Sequence, residues 1–491
     1  MSKKKHNIIE NEAKDDEIDQ ITSTVLDFIQ PSNRDVQKVK SIEKEIKDEI
    51  KNYKIPQIVD VKTGGSFAKD TNLKKDMDVD IFILIDKNVN EQDFERIALD
   101  VGFKALKKYN PITRYSEHPY VEGFANIDSS NKEQIRLNIV PCYNVEKGSW
   151  KSAADRSQYH TEYMKKMLKS DQKNQVRILK SFLKGIEIYG AELSTAGFSG
   201  YVTEVLVLKY GNFKNVIKNI AVLKKKGEII SIDDISNEQI YEKFQSPIII
   251  IDPIDPNRNL GTAISPESLS RLIFGARTFL SNPSINFFNI NKKKNMKNYE
   301  NEIENVEKLL TNILVLEFKY RTRSPDIIWG QLKKLTKSIA RQFNDNEFTT
   351  IKNECYIDNT NSAKVIFLLN FIKLSPFVEK SGPSIFMEKE VIQFVKKNKE
   401  KSTILWIRED MKLSCLRKRR IIDAIQFLDH SIKNGKGSSS SSIGIPKGLV
   451  NDLDKGFKIY TIDKVRIRNT DTKRLIHDFL FKDMRLFESR S

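Results

Sequence analysis

Two aspartates, Asp78 and Asp80, stand two positions apart where "DMDVDIFILID" passes from polar to apolar residues. On a strand that spacing turns both carboxylates to one face, while Val79, Ile81 and Ile83 point to the other. Their Cα atoms then lie roughly 7 Å apart. Two carboxylates so placed can share a pair of divalent cations, which in two-metal phosphoryl chemistry sit ~3.5–4 Å apart and polarise the attacking and leaving oxygens. Oxygen-only ligands favour magnesium. About a dozen residues upstream, Gly64 and Gly65 allow a close approach of backbone to phosphate, and Ser66 adds a hydroxyl and an amide. A lone DxD pair is equally a solvated strand end. The Gly-Ser turn ahead of it points instead to metal-assisted nucleotide chemistry.

The elements that must hold these groups follow from hydrophobic period. Helical spacing runs through "QITSTVLDFI" and "VQKVKSIEKEIKDEIKNY", separated at Pro31. "QIVDVKT", "DVDIFILID", "RYSEHPYVEGFAN" and "IRLNIVPCY" read as strands, with the helix "EQDFERIALDVGFKALKKY" between the second and third. In the last strand Ile135, Leu137 and Ile139 form an apolar face, and Arg136 and Asn138 share the opposite one with the aspartates. Helices then take over through "DRSQYHTEYMKKML", "QVRILKSFLKGIEIYG" and "SGYVTEVLVLKYG", before the apolar strand "SPIIIID" enters "PIDPNRN". The lysine-rich, glycine-free "NINKKKNMKNYENE" marks a boundary near residue 290. Beyond it a βαββ order predicts a small helix-backed antiparallel sheet. After "SGPS" two basic helices, "EKEVIQFVKKNKEK" and "KRRIIDAIQFLDHSI", precede a flexible loop, "GKGSSSSSIGIPKG". The expected fold is α+β and multidomain. It has a catalytic head over 1–150, a helical central domain over 151–290, a βαββ body over 291–383 and a basic helical tail over 384–491.

Composition narrows the partners. The chain of 491 residues carries 83 Lys+Arg against 66 Asp+Glu, a net charge of +17 that favours a polyanion such as nucleic acid. Cys142, Cys355 and Cys415 form no CxxC pair, which argues against a disulfide framework or zinc ribbon and fits a reducing cytoplasm. The charged N-terminus reads as neither signal peptide nor anchor, and no run approaches the ~20 apolar residues that span a bilayer.

The Gly-Ser turn followed by a paired-carboxylate strand resembles the signature of polymerase-beta-like nucleotidyltransferases. Within that superfamily the chain resembles the archaeal, class I CCA-adding enzymes, through "GGSFAKDTNL", "YSEHPYVEG", "IVPCY", "SAADRSQYH", "VRILKSFLKGIEIYGAE", "GFSGY" and "DPIDPNRN" in the family's order. The resemblance implies template-independent addition of CCA to the 3′ end of tRNA from CTP and ATP, with Mg2+. It implies a fold of nucleotidyltransferase head, helical neck, body and tail, with tRNA met at its acceptor and TΨC arms and a homodimer left open. It further implies that Gly65, Ser66 and Lys69 meet the incoming triphosphate and that Asp78 and Asp80 hold the metals. Asp78 stands where glutamate is common. His160, Lys180 and Tyr189 match residues that grip triphosphate and sugar, and Arg258 matches the arginine that helps read the base edge. Each has an ordinary structural reading too: a helix-surface histidine, a snorkelling stem, a core aromatic, a packing arginine in a turn.

One position departs from the family. Its third metal-binding carboxylate falls at Asn138, an amide with no negative charge and one ligating oxygen. That predicts a chain that binds nucleotide but activates the tRNA 3′-hydroxyl poorly. Three explanations stand open: an engineered trap, a silent tRNA-binding relative, or rescue by another nearby carboxylate. A poly(A)- or oligoadenylate-type transferase is a further alternative, although it does not predict "DPIDPNRN" or "GFSGY".

Overall fold

The computed structural model describes residues 2–126, 134–233, 243–288, 290, 301–434, 444–463 and 466–488. The Ser-rich loop expected over 437–442 and the lysine-rich stretch 291–300 lie outside these residues. The chain divides into two compact units, Met1–Lys293 with Asp483–Ser491, and Lys294–Lys482.

In the first unit, helices α1 (Ser2–Ile29) and α2 (Asn33–Asn52) precede a five-stranded sheet. The Ser32 side chain caps α2 by accepting from Asp35 N, and Val39, Ile46 and Ile50 form the helix's buried stripe. The sheet comprises β1 (Ile58–Gly64), β2 (Val79–Asp86), β3 (Ile112–Tyr115), β4 (Pro119–Asn126) and β5 (Gln134–Asn144), in the order β1-β2-β5-β4-β3. Only β2 and β5 pair in parallel; the other neighbours are antiparallel. A one-turn helix, α3 (Gly65–Ala68), separates β1 from β2, and α4 (Glu91–Ala105) follows β2. Val79, Ile81, Ile83, Leu137, Ile139, Val121 and Ala125 join Phe94, Ile97 and Val101 of α4 in one core, so the even-numbered residues of β2, β4 and β5 occupy the opposite face.

Two expectations are corrected here. "RYSEHPYVEGFAN" is two strands, because the chain reverses at Ser116–His118, where Ser116 N bonds His118 O, and restarts at Pro119. The helix read through "IEIYG" stops at Gly185, and Glu187 adopts φ 62°, which turns the chain toward Tyr189. The central helices are α5 (Arg156–Met167), α6 (Ser170–Gly185), α7 (Gly200–Tyr210), α8 (Phe213–Ala221) and, further along the chain, the helix Pro266–Ser281. A parallel pair, β6 (Glu228–Ile230) and β7 (Ile248–Ile250), then leads into "IDPIDPNRN".

The second unit holds β8 (Ile313–Lys319), the helix Pro325–Asp345, β9 (Thr350–Ile357) and β10 (Ser362–Leu369), as the βαββ order predicts. The sheet gains a fourth strand on the β8 edge, β14 (Phe457–Thr461), giving the order β14-β8-β10-β9. The segment expected to be a helical tail also carries strands. β11 (Phe377–Ser384) precedes the helix Glu388–Asn398, and β12 (Ser402–Ile407) and β13 (Lys412–Lys418) lie between that helix and the helix Ala424–Asn434; the three form a sheet in the order β11-β13-β12. Most residues of β11 and β12 are only partly covered, so these strands lack the clean apolar alternation by which a strand is recognised.

Candidate active site

The acidic face of the first sheet is built by register. Gly64 lies opposite Asp80, and Asp80 opposite Asn138. Gly65 has φ 68°, and a Cβ there would stand 1.9 Å from Asp80 Oδ2, so only glycine turns the chain this close to the carboxylate. Asn138 Nδ2 donates to Asp80 Oδ1 at 2.9 Å, while Asn138 Oδ1 is buried without a partner. Burial raises the Asp80 carboxyl above its ordinary range; the Asn138 hydrogen bond and the Lys69 and Arg136 charges oppose this without cancelling it, and Asp78 adds to it. Arg136 grips Asp78 through Nε at 3.0 Å and a terminal nitrogen at 2.5 Å, so a cation at Asp78 would compete with that fork. An under-compensated carboxylate, an orphaned amide oxygen and a second carboxylate two residues away are the hard donors a divalent cation takes. The residues present fit such an ion.

Buried polar contacts fix the loop after the Gly-Ser turn. Lys69 Nζ lies 2.5 Å from Glu204 Oε2, and Thr71 Oγ1 donates to Glu204 Oε1 at 2.7 Å. Lys180 is 2% exposed, and its ammonium donates to the Thr71 carbonyl at 2.9 Å. Burial pushes its pKa down to about 8. Arg177 adds a bond to the Asn72 carbonyl at 2.9 Å and pairs with Asp70. Tyr189 lies within the hydroxyl's reach of the α7 N-terminus, since a Cβ on Gly200 would be 3.0 Å from its Oη. Ser199 caps that helix by accepting from Val202 N.

A second cluster centres on Asp252. His160 Nε2 lies 2.9 Å from Asp252 Oδ2, Arg258 NH1 donates to the same oxygen at 3.3 Å, and Tyr201 Oη donates to Oδ1 at 3.2 Å. The rings of His160 and Tyr201 stack at 3.9 Å. Burial lowers the His160 pKa against the pull of Asp252, which keeps the imidazole neutral near pH 7. A carboxylate only accepts, so Nε2 carries the proton and Nδ1 is left as an acceptor, suited to a sugar hydroxyl rather than to a phosphate oxygen. Burial alone would raise Asp252, but the His160 hydrogen bond, the Ile254 backbone N–H and the Arg258 charge lower it. Asp252→Asn should therefore loosen all three partners, costing about 1–3 kcal/mol of stability and weakening nucleotide binding. Calorimetric melting and CTP titration would check both, and an unchanged CTP affinity would remove the cluster from the site.

Comparison with known proteins decides the family. The model for a nucleotidyltransferase domain matches residues 39–160, that for the second domain of tRNA nucleotidyltransferase matches 174–289, and that for the C-terminal domain of CCA-adding enzyme matches 310–460. The CCA-adding enzyme of Methanocaldococcus jannaschii is 36% identical over 394 residues, 77% of this chain and 84% of the relative. That of Methanococcus maripaludis is 32% identical over 427 residues, 85% of this chain and 91% of the relative. The chain belongs to the CCA-adding enzymes. A Cid1 poly(U) polymerase structure aligns with 55% of this chain and 95% of its own at 14% identity and a TM-score of 0.42, too remote to bear on function.

Set against this CCA-adding family, the sequence-derived residues fall into three groups, with Tyr189 apart, its hydroxyl beside Gly200 at the start of α7. Gly65, Asp80 and Asn138 meet on the sheet, with Asp78 one step before β2. Ser66, Lys69 and Lys180 belong to the turn and its supports, and Lys180 is no snorkelling stem, because its ammonium is buried. His160 and Arg258 converge on Asp252. Glu204, Tyr201 and Asp252 were not singled out from sequence. Glu204 had a signal: it is the one charged residue in the apolar run "YVTEVLVL" of α7, and a buried acid needs a partner.

Proposed function

We propose that this chain rebuilds the 3′-terminal CCA of tRNA from CTP and ATP without a nucleic-acid template, using magnesium. The observation that carries the reading is the Cα register that sets the Gly-Ser turn, Asp80 and Asn138 side by side on one sheet face. In the reaction the tRNA 3′-oxygen attacks the α-phosphorus and pyrophosphate leaves. Bound magnesium would neutralise charge on the triphosphate and at the attacking oxygen. Asp78 and Asp80 would hold it, with Asn138 Oδ1 as a neutral donor. Gly65, Ser66 and Lys69 cradle phosphate oxygens, Glu204 keeps the Lys69 ammonium beneath the turn, and Lys180 braces Thr71. His160 Nδ1 and the Tyr189 hydroxyl are placed for the sugar.

Arg258 is the proposed reader of the base edge. Its side chain is 40% exposed, with one terminal nitrogen on Asp252. Its remaining donors suit acceptors that cytosine and adenine both present, where uracil and guanine offer the wrong edge. Arg258→Ala should lower CTP and ATP use by ~10–100-fold, the worth of one bidentate contact, and leave magnesium binding intact. Retained preference for CTP and ATP over UTP and GTP would take Arg258 out of base reading.

The partner would be the acceptor and TΨC arms of tRNA, recognised by A-form shape and phosphates because one enzyme serves every tRNA. No described helix is long and apolar enough to cross a membrane, and the three free cysteines support a cytoplasmic setting. The deciding experiment is incubation with tRNA lacking its 3′ CCA, magnesium and each labelled nucleotide in turn. Stepwise C, C, A is expected; unlimited A addition would favour the poly(A)-type alternative, and no incorporation a silent tRNA-binding protein.

A further inference from the structure

The His160 imidazole is tied at Nε2 by Asp252, while the nitrogen left to meet a ligand is Nδ1, whose lone pair lies in the ring plane. One bond at Nε2 does not fix that plane, because the terminal torsion of a histidine is broad. We propose that Tyr201 fixes it, as a positioning residue that lets His160 discriminate a ribonucleotide from its deoxy analogue, an inference that rests on the function proposed above. The rings of Tyr201 and His160 lie 3.9 Å apart between centroids and 24° from parallel, so the tyrosine covers one face of the imidazole. Tyr201 is itself held firmly. Its backbone sits in the first turn of α7 behind the Ser199 cap, its ring packs against the core of the central helices, and its hydroxyl donates to Asp252 Oδ1 at 3.2 Å.

Asp252 is buried and has both oxygens engaged. Oδ2 meets His160 and Arg258, and Oδ1 accepts from Tyr201 and from Ile254 N at 2.9 Å, so the carboxylate cannot tilt to follow a turning imidazole. Lys69 Nζ stands 5.6 Å from the centre of the Tyr201 ring, within cation–π range, which sets the stacked pair beside a residue assigned to the triphosphate. Among the described residues nothing donates to His160 Nδ1. A fixed acceptor of this kind separates a sugar that brings a hydroxyl hydrogen from one that brings only C–H, since the second leaves the nitrogen desolvated and unpaired. The penalty exists only while the ring cannot swing toward another partner. That restraint is what the Tyr201 stack supplies.

The test is single-turnover addition of the first C to tRNA ending before its CCA, from CTP, 2′-deoxyCTP or 3′-deoxyCTP. Neither sugar hydroxyl of the incoming nucleotide takes part in that bond, so both analogues are fair substrates. The natural chain should prefer CTP over one of them by ~10–100-fold, the cost of leaving a buried acceptor unpaired, and that analogue identifies the hydroxyl Nδ1 takes. Tyr201→Leu should shrink the preference by about 3–10-fold, the worth of a stacked ring pair, and Tyr201→Phe, which keeps the stack, should hold it within about twofold. A tyrosine needed only for folding would slow all three nucleotides alike and leave their ratio unmoved. His160→Leu should remove the preference, and adding Tyr201→Leu should take away nothing more, because the tyrosine acts through the imidazole. If Tyr201→Leu melts early, Tyr201→Met, which fills irregular space, takes its place. An unmoved ratio, an additive double variant, or a natural chain indifferent to both analogues overturns the inference while leaving CCA addition standing. A natural chain that incorporates nothing overturns both.

Discussion

The Asp80→Asn variant is expected to melt at a higher temperature than the natural chain and to transfer nucleotide at least ~10³-fold more slowly. The two effects share one cause. Asp80 ionises against its burial, with too little positive charge around it, so its native pKa exceeds its unfolded one. Between those two values the folded state binds more protons, and stability falls as pH rises through the window. Above its native pKa the ionised carboxylate is a standing destabilisation, which an amide removes. That same charge is what holds the cation on the triphosphate. Magnesium should therefore raise the melting temperature of the natural chain and leave that of the variant unmoved, because only a ligand that binds the native state stabilises it. Equal magnesium responses, or a variant of ordinary activity, would show that Asp80 is not a metal ligand.

Binding of tRNA should collapse with salt. The chain carries a net charge of +17, and a protein that makes 6–10 phosphate contacts loses about 10³–10⁵ in affinity between 50 and 200 mM salt, by release of counterions. Recognition by shape and phosphate rather than by base sequence makes this term dominant, so unrelated tRNAs should share one slope. Replacing one contacting lysine or arginine should flatten that slope by about one unit. An affinity indifferent to salt over this range would mean that the excess of basic residues merely solvates the surface.

Local sequence determined the elements whose faces are set by period. The alternation of β2 and β5 separates Asp78, Asp80 and Asn138 from Val79, Ile81, Leu137 and Ile139, and the structure buries the apolar set as that alternation requires. The βαββ order of the second unit was legible for the same reason, since a strand or a long amphipathic helix carries its own pattern. The motifs also declared the family, because their order along the chain is a property of the chain alone.

Tertiary structure decided what depends on distant partners. Lys69 and Glu204 are 135 positions apart and His160 and Asp252 are 92, so no local pattern announces that an exposed-looking lysine is buried or that a histidine is kept neutral. The return at Ser116–His118 set β3 beside β4, and β4 in turn pairs with β5, a neighbour chosen by register rather than by proximity in sequence. β14 reached the sheet of β8 and β10 from far down the chain, and β11 found β13 across an intervening helix. In each case the decisive term is the burial of a charge or a backbone edge by something remote. Only the folded chain brings together the partner that makes such burial affordable.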